Sequence, residues 1–153
     1  MTGQVYIALV VGLAAAAEDI ARRRISNWIP IAAFLAGLTW MVWQRGWRGG
    51  VSSIAGTVAG FAVFLVFYWL GGMGGGDVKL MAGFGAVLGI ERLLEAALWT
   101  AAFGGIIAAV AVAIASFRKL WKRPAQDAKQ PVTAIPYAPA IALGAWVALL
   151  SRM

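Results

Sequence analysis

The sequence predicts an all-α, polytopic membrane protein of about six transmembrane helices, and three features predict it. The chain is 62% hydrophobic and only 12% charged, with a mean hydropathy of +0.82, whereas soluble domains are about half apolar and about a quarter charged. Apolar stretches of helical length recur along it, separated by short polar links, so each stretch reads as a membrane-embedded helix. The basic residues behind the net charge of +7 gather between those stretches, where they set topology and meet anionic lipid headgroups rather than nucleic acid. The length of 153 residues fits one membrane-embedded domain.

The first helix is expected from about Thr2 to Ile20, ending in Glu18-Asp19 and followed by Arg22-Arg23-Arg24. Its flanks differ from those of a cleaved signal: Met1-Thr2-Gly3-Gln4 lacks a positive region, and the arginines come after the apolar run. Ser26-Asn27 offers an N-cap for a second helix, Trp28 to Trp43, with Pro30 in the first turn, where proline is tolerated. Trp28, Trp40, Trp43 and Trp47 lie near its ends, as interfacial aromatics do. Gln44 to Gly50 reads as a polar loop, and Val51 to Leu70 as a third helix. Gly56 and Gly60 give that helix a face for close packing.

The run Gly71-Gly72-Met73-Gly74-Gly75-Gly76-Asp77-Val78-Lys79-Leu80 comes next. Its glycines permit sharp turns and close approach, and they place one carboxylate at the mouth of a fourth helix, Val78 to Ile90. That segment is short, roughly 20 Å at 1.5 Å per residue. With Gly85, Gly89 and the charge of Lys79, it is expected to be enclosed by the other helices rather than lipid-facing. Glu91-Arg92 reads as a tight turn, Leu93 to Phe117 as a fifth helix, Arg118 to Thr133 as a basic loop, and Ile135 to Leu150 as a sixth helix opened by Pro136-Tyr137-Ala138-Pro139.

With the N-terminus outside, the inner links hold Arg22, Arg23, Arg24, Arg118, Lys119, Lys122, Arg123 and Lys129, and the outer side holds Arg45, Arg48, Arg92 and Arg152. This bias follows the positive-inside rule. It brings Asp19 and Asp77 to the inner face at one depth.

The chain has no cysteine and no histidine, which removes thiolate nucleophiles, cysteine zinc sites and the commonest general base. Two carboxylates held close cannot both ionise cheaply, so a pair offers an acid and a base at once. Asp19 and Asp77 are therefore the candidate catalytic pair. Gly74, Gly75 and Gly76 would leave room beside Asp77 for an extended peptide. No metal or other cofactor is expected, since a hard cation takes more oxygen ligands than two carboxylates provide. Structural readings stand beside these. Asp77 is a helix-capping residue type. Asp19 is spaced to pair with Arg22 or Arg23. Glu18, offset by one position, suits an interfacial charge or a pair with Arg22. Lys79 either tunes the pair or snorkels to headgroups. An ion-coupled transporter with both aspartates at an interrupted helix and a non-catalytic membrane scaffold are the rival functions.

Gly74-Gly75-Gly76-Asp77 fits the GxGD pattern of membrane-embedded aspartyl proteases. The longer Gly-Gly-Met-Gly-Gly-Gly-Asp-Val-Lys-Leu resembles the type IV prepilin peptidase family more closely. So does Asp19-Ile20-Ala21-Arg22-Arg23-Arg24-Ile25-Ser26-Asn27, which looks like that family's first-aspartate motif, and Ile135-Pro136-Tyr137-Ala138-Pro139-Ala140-Ile141 is similar to its final-helix signature. The resemblance implies an endopeptidase of a prokaryotic plasma membrane. It would cut basic leaders from prepilins at the cytoplasmic face, with Asp19 and Asp77 as catalytic residues and a prepilin as partner. The small size looks like the short form of tight-adherence (Flp-type) pilus systems. Ser26 stands where many members have proline and Ala138 where glycine is frequent. Larger bifunctional members carry a cysteine zinc domain after the first helix and also N-methylate the new terminus. Here Arg22 to Asn27 is a short link without cysteine, so methyl transfer is not expected. Glu18-Asp19 in place of Tyr-Asp separates the chain from presenilin-like proteases.

Overall fold

A computed structural model describes residues 3–71, 73–121 and 137–151. The described residues form five helices: α1 (Gly3–Arg22), α2 (Trp28–Trp69), α3 (Gly75–Leu88), α4 (Ile90–Trp121) and α5 (Ala138–Leu150). Two of these helices, α1 and α2, and the stretch Ile90–Ile114 of α4 are long and apolar enough to cross a membrane.

The 42 residues of α2 would measure about 63 Å if straight, twice a bilayer's hydrocarbon thickness of about 30 Å. The helix is not straight. Gly46 has φ 60° and ψ −146°, a conformation that glycine reaches without a Cβ penalty. The packing of α3 shows what this does. In the first half of α2, Pro30 and Ala33 lie against Gly83 and Gly37 lies against the backbone of Ala86 and Val87, so this half runs parallel to α3. In the second half, Gly56 meets Gly85 and Gly60 meets Met81, so this half runs antiparallel. Gly49 accordingly comes back onto the carbonyl of Met41. The two expected helices form a hairpin, but the expected polar loop from Gln44 to Gly50 is helical apart from the reversal at Gly46. One glycine with positive φ does the work assigned to a loop.

The halves of this hairpin clasp α3. Within α3, Asp77, Val78 and every residue from Leu80 to Leu88 are buried, as expected of a short glycine-rich segment with an embedded charge. A Cβ on Gly56 would strike the Gly85 carbonyl oxygen, and one on Gly85 would strike that of Gly56. Backbone thus lies on backbone, the close approach through which small residues drive helix association where lipid supplies no hydrophobic contrast. Ser53 Oγ adds a 2.9 Å hydrogen bond to the Ala86 carbonyl across the same seam.

The turn after α3 lies at Gly89 (φ 72°), whose successor Ile90 donates its N–H to Ser52 Oγ at 3.3 Å. Glu91 and Arg92, expected to form that turn, instead stand in the first turn of α4. Only glycine supplies the positive φ cheaply, so the reversal precedes the charged pair. At its other end α4 runs through Arg118 and Lys119 to Trp121, past the point where a loop was expected. The remainder of that basic segment, with Lys122, Arg123 and Lys129, lies outside the described residues, as does the expected start of the last helix at Ile135.

The last helix, α5, runs antiparallel to both α1 and α4. Trp146 Nε1 donates to the Ala8 carbonyl at 2.9 Å, and Trp146 also covers Gly12. Gly144 packs on Ala96 and Thr100, and Gly104 on Tyr137. The C-terminus of α1 therefore shares one end of the bundle with the N-termini of α2, α3 and α5. Gly3, Gly46, Gly89 and Ser151 mark the opposite end.

Candidate active site

Asp19 lies in the last turn of α1 and is 7% exposed. Its Oδ2 accepts the backbone N–H of Ala138 at 3.1 Å. Ala138 opens α5, and its N–H is one of the donors that a helix's first turn leaves without an internal partner. Proline at position 139 has no N–H of its own to offer. The proline-rich start of α5 thus presents one amide to Asp19. The expected pairing with Arg22 or Arg23 is absent among the described residues.

Asp77 is the third residue of α3 and is also 7% exposed. Its Oδ2 accepts the N–H of Gly74 at 3.2 Å, while its own N–H donates to the Gly74 carbonyl at 3.1 Å. Gly74 is extended, with φ −81° and ψ 153°. This is the carboxylate half of a capping box, and the positive end of the helix dipole favours a carboxylate there. The capping role foreseen for Asp77 is therefore present, and it occupies one carboxyl oxygen. Among the described residues, Oδ1 of Asp19 and of Asp77 makes no hydrogen bond. The two side chains stand within electrostatic reach of one another at this end of the bundle.

The glycines before Asp77 differ in their surroundings. Gly74 and Gly75 are exposed, and Gly76 is half-buried. A Cβ on Gly74 would come 3.3 Å from Asp77 Oδ2, one on Gly75 would come 3.7 Å from the Tyr68 ring, and one on Gly76 would come 3.3 Å from the Ile25 Cβ. Open backbone is thus available at Gly74 and Gly75, whereas Gly76 lies under Ile25.

Glu18 turns away from Asp19, as its one-residue offset implies. It pairs with Arg22 at 3.6 Å, the expected contact. It also accepts the Ser26 backbone N–H at 3.0 Å and the Ser26 hydroxyl, a partner that the sequence reading did not supply. Ser26 therefore spends its hydroxyl on Glu18 rather than on capping α2. Asn27 holds the N-cap position without a side-chain capping bond, and its Oδ1 accepts from Lys79 Nζ at 2.9 Å. Lys79 is exposed and bonded to the start of α2, not to either aspartate. Glu18, Arg22, Arg24, Ile25, Ser26 and Asn27 line an open polar cleft along the α1–α2 link.

Chemically, this end of the bundle offers two buried carboxyls, each anchored through one oxygen by a backbone amide. The chain has no histidine or cysteine to share the work. Such a pair can exchange protons with a bound water and with a leaving group.

The model of the type IV leader peptidase family matches residues 6–109. Over 150 residues the chain is 34% identical to the prepilin leader peptidase/N-methyltransferase of Bacillus subtilis (strain 168), an alignment that takes in 95% of this chain and 54% of that protein. The chain thus spans about half the length of this curated relative. No solved structure matches it. The family match covers most of the chain, including both aspartates and the glycine run, and the chain belongs to the type IV leader peptidase family.

Proposed function

We propose that this protein is a membrane aspartyl endopeptidase that removes the leader peptide from type IV prepilins, of the Flp-like kind, at the cytoplasmic face of a prokaryotic plasma membrane. The observation that carries the reading is the burial of two aspartates, Asp19 and Asp77, at one end of the bundle, with no cation paired to either among the described residues. A buried acid without a counter-ion is costly and marks a functional site in a membrane protein. Family membership supplies the substrate class, since the Bacillus subtilis relative is named for cleaving prepilin leaders.

In the proposed reaction, one aspartate takes a proton from a water that attacks the scissile carbonyl, and the other gives a proton to the departing amine. The pair regenerates by exchanging its proton with solvent. Asp19 and Asp77 are the catalytic residues. Gly74 and Gly75 offer open backbone along which an extended substrate segment can lie. Neither aspartate is assigned the proton alone, because a pair of closely interacting carboxyls shares it.

The topology we propose has six passes, with α2 counted as two, the N-terminus outside, and the whole chain forming one membrane-embedded unit. Arg22, Arg23 and Arg24 then face the cytoplasm and anionic lipid. The substrate's apolar helix stays in the bilayer while its basic leader remains cytosolic. Methyl transfer is not part of the proposal, because a cysteine zinc site has no residues in this chain.

The test is cleavage of a co-expressed Flp-type prepilin by wild type, Asp19→Asn and Asp77→Asn at matched membrane levels. Cleavage by wild type alone supports the pair. Cleavage by both variants would make the aspartates structural and end this reading.

A further inference from the structure

The residues flanking the two aspartates hold the same dipeptide. Glu18, next to Asp19, accepts the N–H and hydroxyl of Ser26. Lys79, two residues after Asp77, donates to the side chain of Asn27 at 2.9 Å. Between these contacts and α3, Ile25 lies on Gly76, the residue before Asp77. Ser26-Asn27 is therefore tied on one side to α1 and on the other to α3. The backbone at Arg23 takes φ 53° to enter this link, a region that side-chain-bearing residues enter at a cost. That cost is sustained only where the surrounding contacts over-determine the conformation.

We infer that Glu18 and Lys79 are positioning residues: through the crosspiece Ser26-Asn27 they fix how far apart Asp19 and Asp77 sit. This rests on the proposed peptidase reading and adds residues that act through Ser26-Asn27 rather than on the reacting atoms. The chemistry suits the task. The Glu18 carboxylate makes two charge-assisted hydrogen bonds to one residue, and Lys79 makes one to the next, and such bonds are the stronger ones in proteins. A carboxyl pair needs its spacing held within a fraction of an ångström to share a proton productively.

The absence of cysteine from the chain makes a direct test possible. The Ile25 Cβ lies 3.3 Å from the place where a Gly76 Cβ would stand, a few tenths of an ångström short of the Cβ–Cβ separation of a disulfide, about 3.5–4.5 Å. Ile25→Cys with Gly76→Cys should oxidise rapidly in membranes. Adding Glu18→Ala or Asn27→Leu should slow that oxidation about fivefold or more, whereas Asn27→Asp, which still accepts from Lys79, should keep the parental rate. This readout needs no peptide cleavage, so it stands even if the prepilin assay fails. In the chain without added cysteines, Glu18→Ala and Asn27→Leu should lower kcat on the order of tenfold, the factor that about 1.4 kcal/mol produces. KM should be unchanged and the pH profile altered, and Asn27→Asp should restore both. Unchanged oxidation rates in Glu18→Ala and Asn27→Leu would overturn the inference. So would a loss confined to KM, which would make this link a substrate contact. Should Glu18→Ala fail to insert, Lys79→Met decides the matter alone, since Lys79 is exposed and its loss leaves the core intact.

Discussion

The two ends of the bundle treat acidic side chains in opposite ways. At one end Asp19 and Asp77 are buried, anchored by backbone amides and left without cations among the described residues. At the other, Glu91 is exposed and meets Arg45 at 2.6 Å, linking the turn of the α2 hairpin to the start of α4. An exposed ion pair contributes little stability and costs little to keep. Buried carboxyls without cations are expensive to keep. The contrast supports the proposal that Asp19 and Asp77 are kept for a reaction, whereas Glu91 stands in an ordinary surface ion pair.

The sharpest way to break the contrast is to neutralise the buried acids. Asp19→Asn and Asp77→Asn should each cut prepilin cleavage by about 10²–10⁴-fold, the range by which a positioned acid or base accelerates a reaction. Neither should abolish insertion, because asparagine still offers an oxygen to Ala138 or Gly74. A protease-protection assay on the same membranes separates lost chemistry from lost fold. Asparagine variants that cut at near wild-type rates would reduce the buried end to the same structural status as the exposed one.

Gly85→Leu attacks the frame that supports both ends alike. A Cβ at Gly85 meets the Gly56 backbone, which cannot yield as a flexible side chain does. Overpacking typically costs about 1–3 kcal/mol, and here it would push α3 away from the second half of α2. The expected outcome is a lower melting temperature in detergent together with lost cleavage. Trp146→Phe is milder: it removes the 2.9 Å bond to the Ala8 carbonyl and keeps most of the ring, for about 0.5–1.5 kcal/mol. It tests whether the α1–α5 contact, which also brings Ala138 to Asp19, is fixed by that tryptophan. A melting point lowered by a few degrees, with cleavage kept, is expected.

Much of the buried end was legible in the sequence. Asp19 closes an apolar run and Asp77 opens one, and the distribution of arginines and lysines puts both at one side. The enclosure of α3 was legible too, because its length, glycines and Lys79 all argue against a lipid-facing helix. The partners of the acids were not. Asp19 meets an amide 119 residues away, and no local pattern encodes that distance. Ser26 looked like a cap for α2 because serine is a good capping residue. Instead Ser26 donates its hydroxyl and backbone N–H to Glu18, one turn before the link, and Asn27 stands at the N-cap. At the exposed end polarity located the turns only roughly. The reversal at Gly46 falls inside the expected loop Gln44–Gly50 but takes up a single residue of it, and the reversal at Gly89 precedes the expected turn at Glu91-Arg92; both fall where positive φ is needed. Polarity there marks helix surface in water, and glycine marks where the chain bends.

The smallest expected effect falls on the exposed pair. Arg45→Gln and Glu91→Gln, singly or together, should change stability by about 0–1 kcal/mol and leave cleavage unchanged. The reason is geometric: Arg45 and Glu91 pair with each other across the hairpin turn and the head of α4, and both are roughly half exposed, at 47% and 58%. The reversal they flank is already enforced by Gly46 and Gly89, with Ser52 accepting the first amide after Gly89. A double-mutant cycle on melting temperature measures their coupling directly. A coupling well above 1 kcal/mol, or a cleavage defect in either variant, would mean that the far end communicates with the aspartates through α3. It would place the ion pair among the groups that set the site rather than among those that merely decorate the fold.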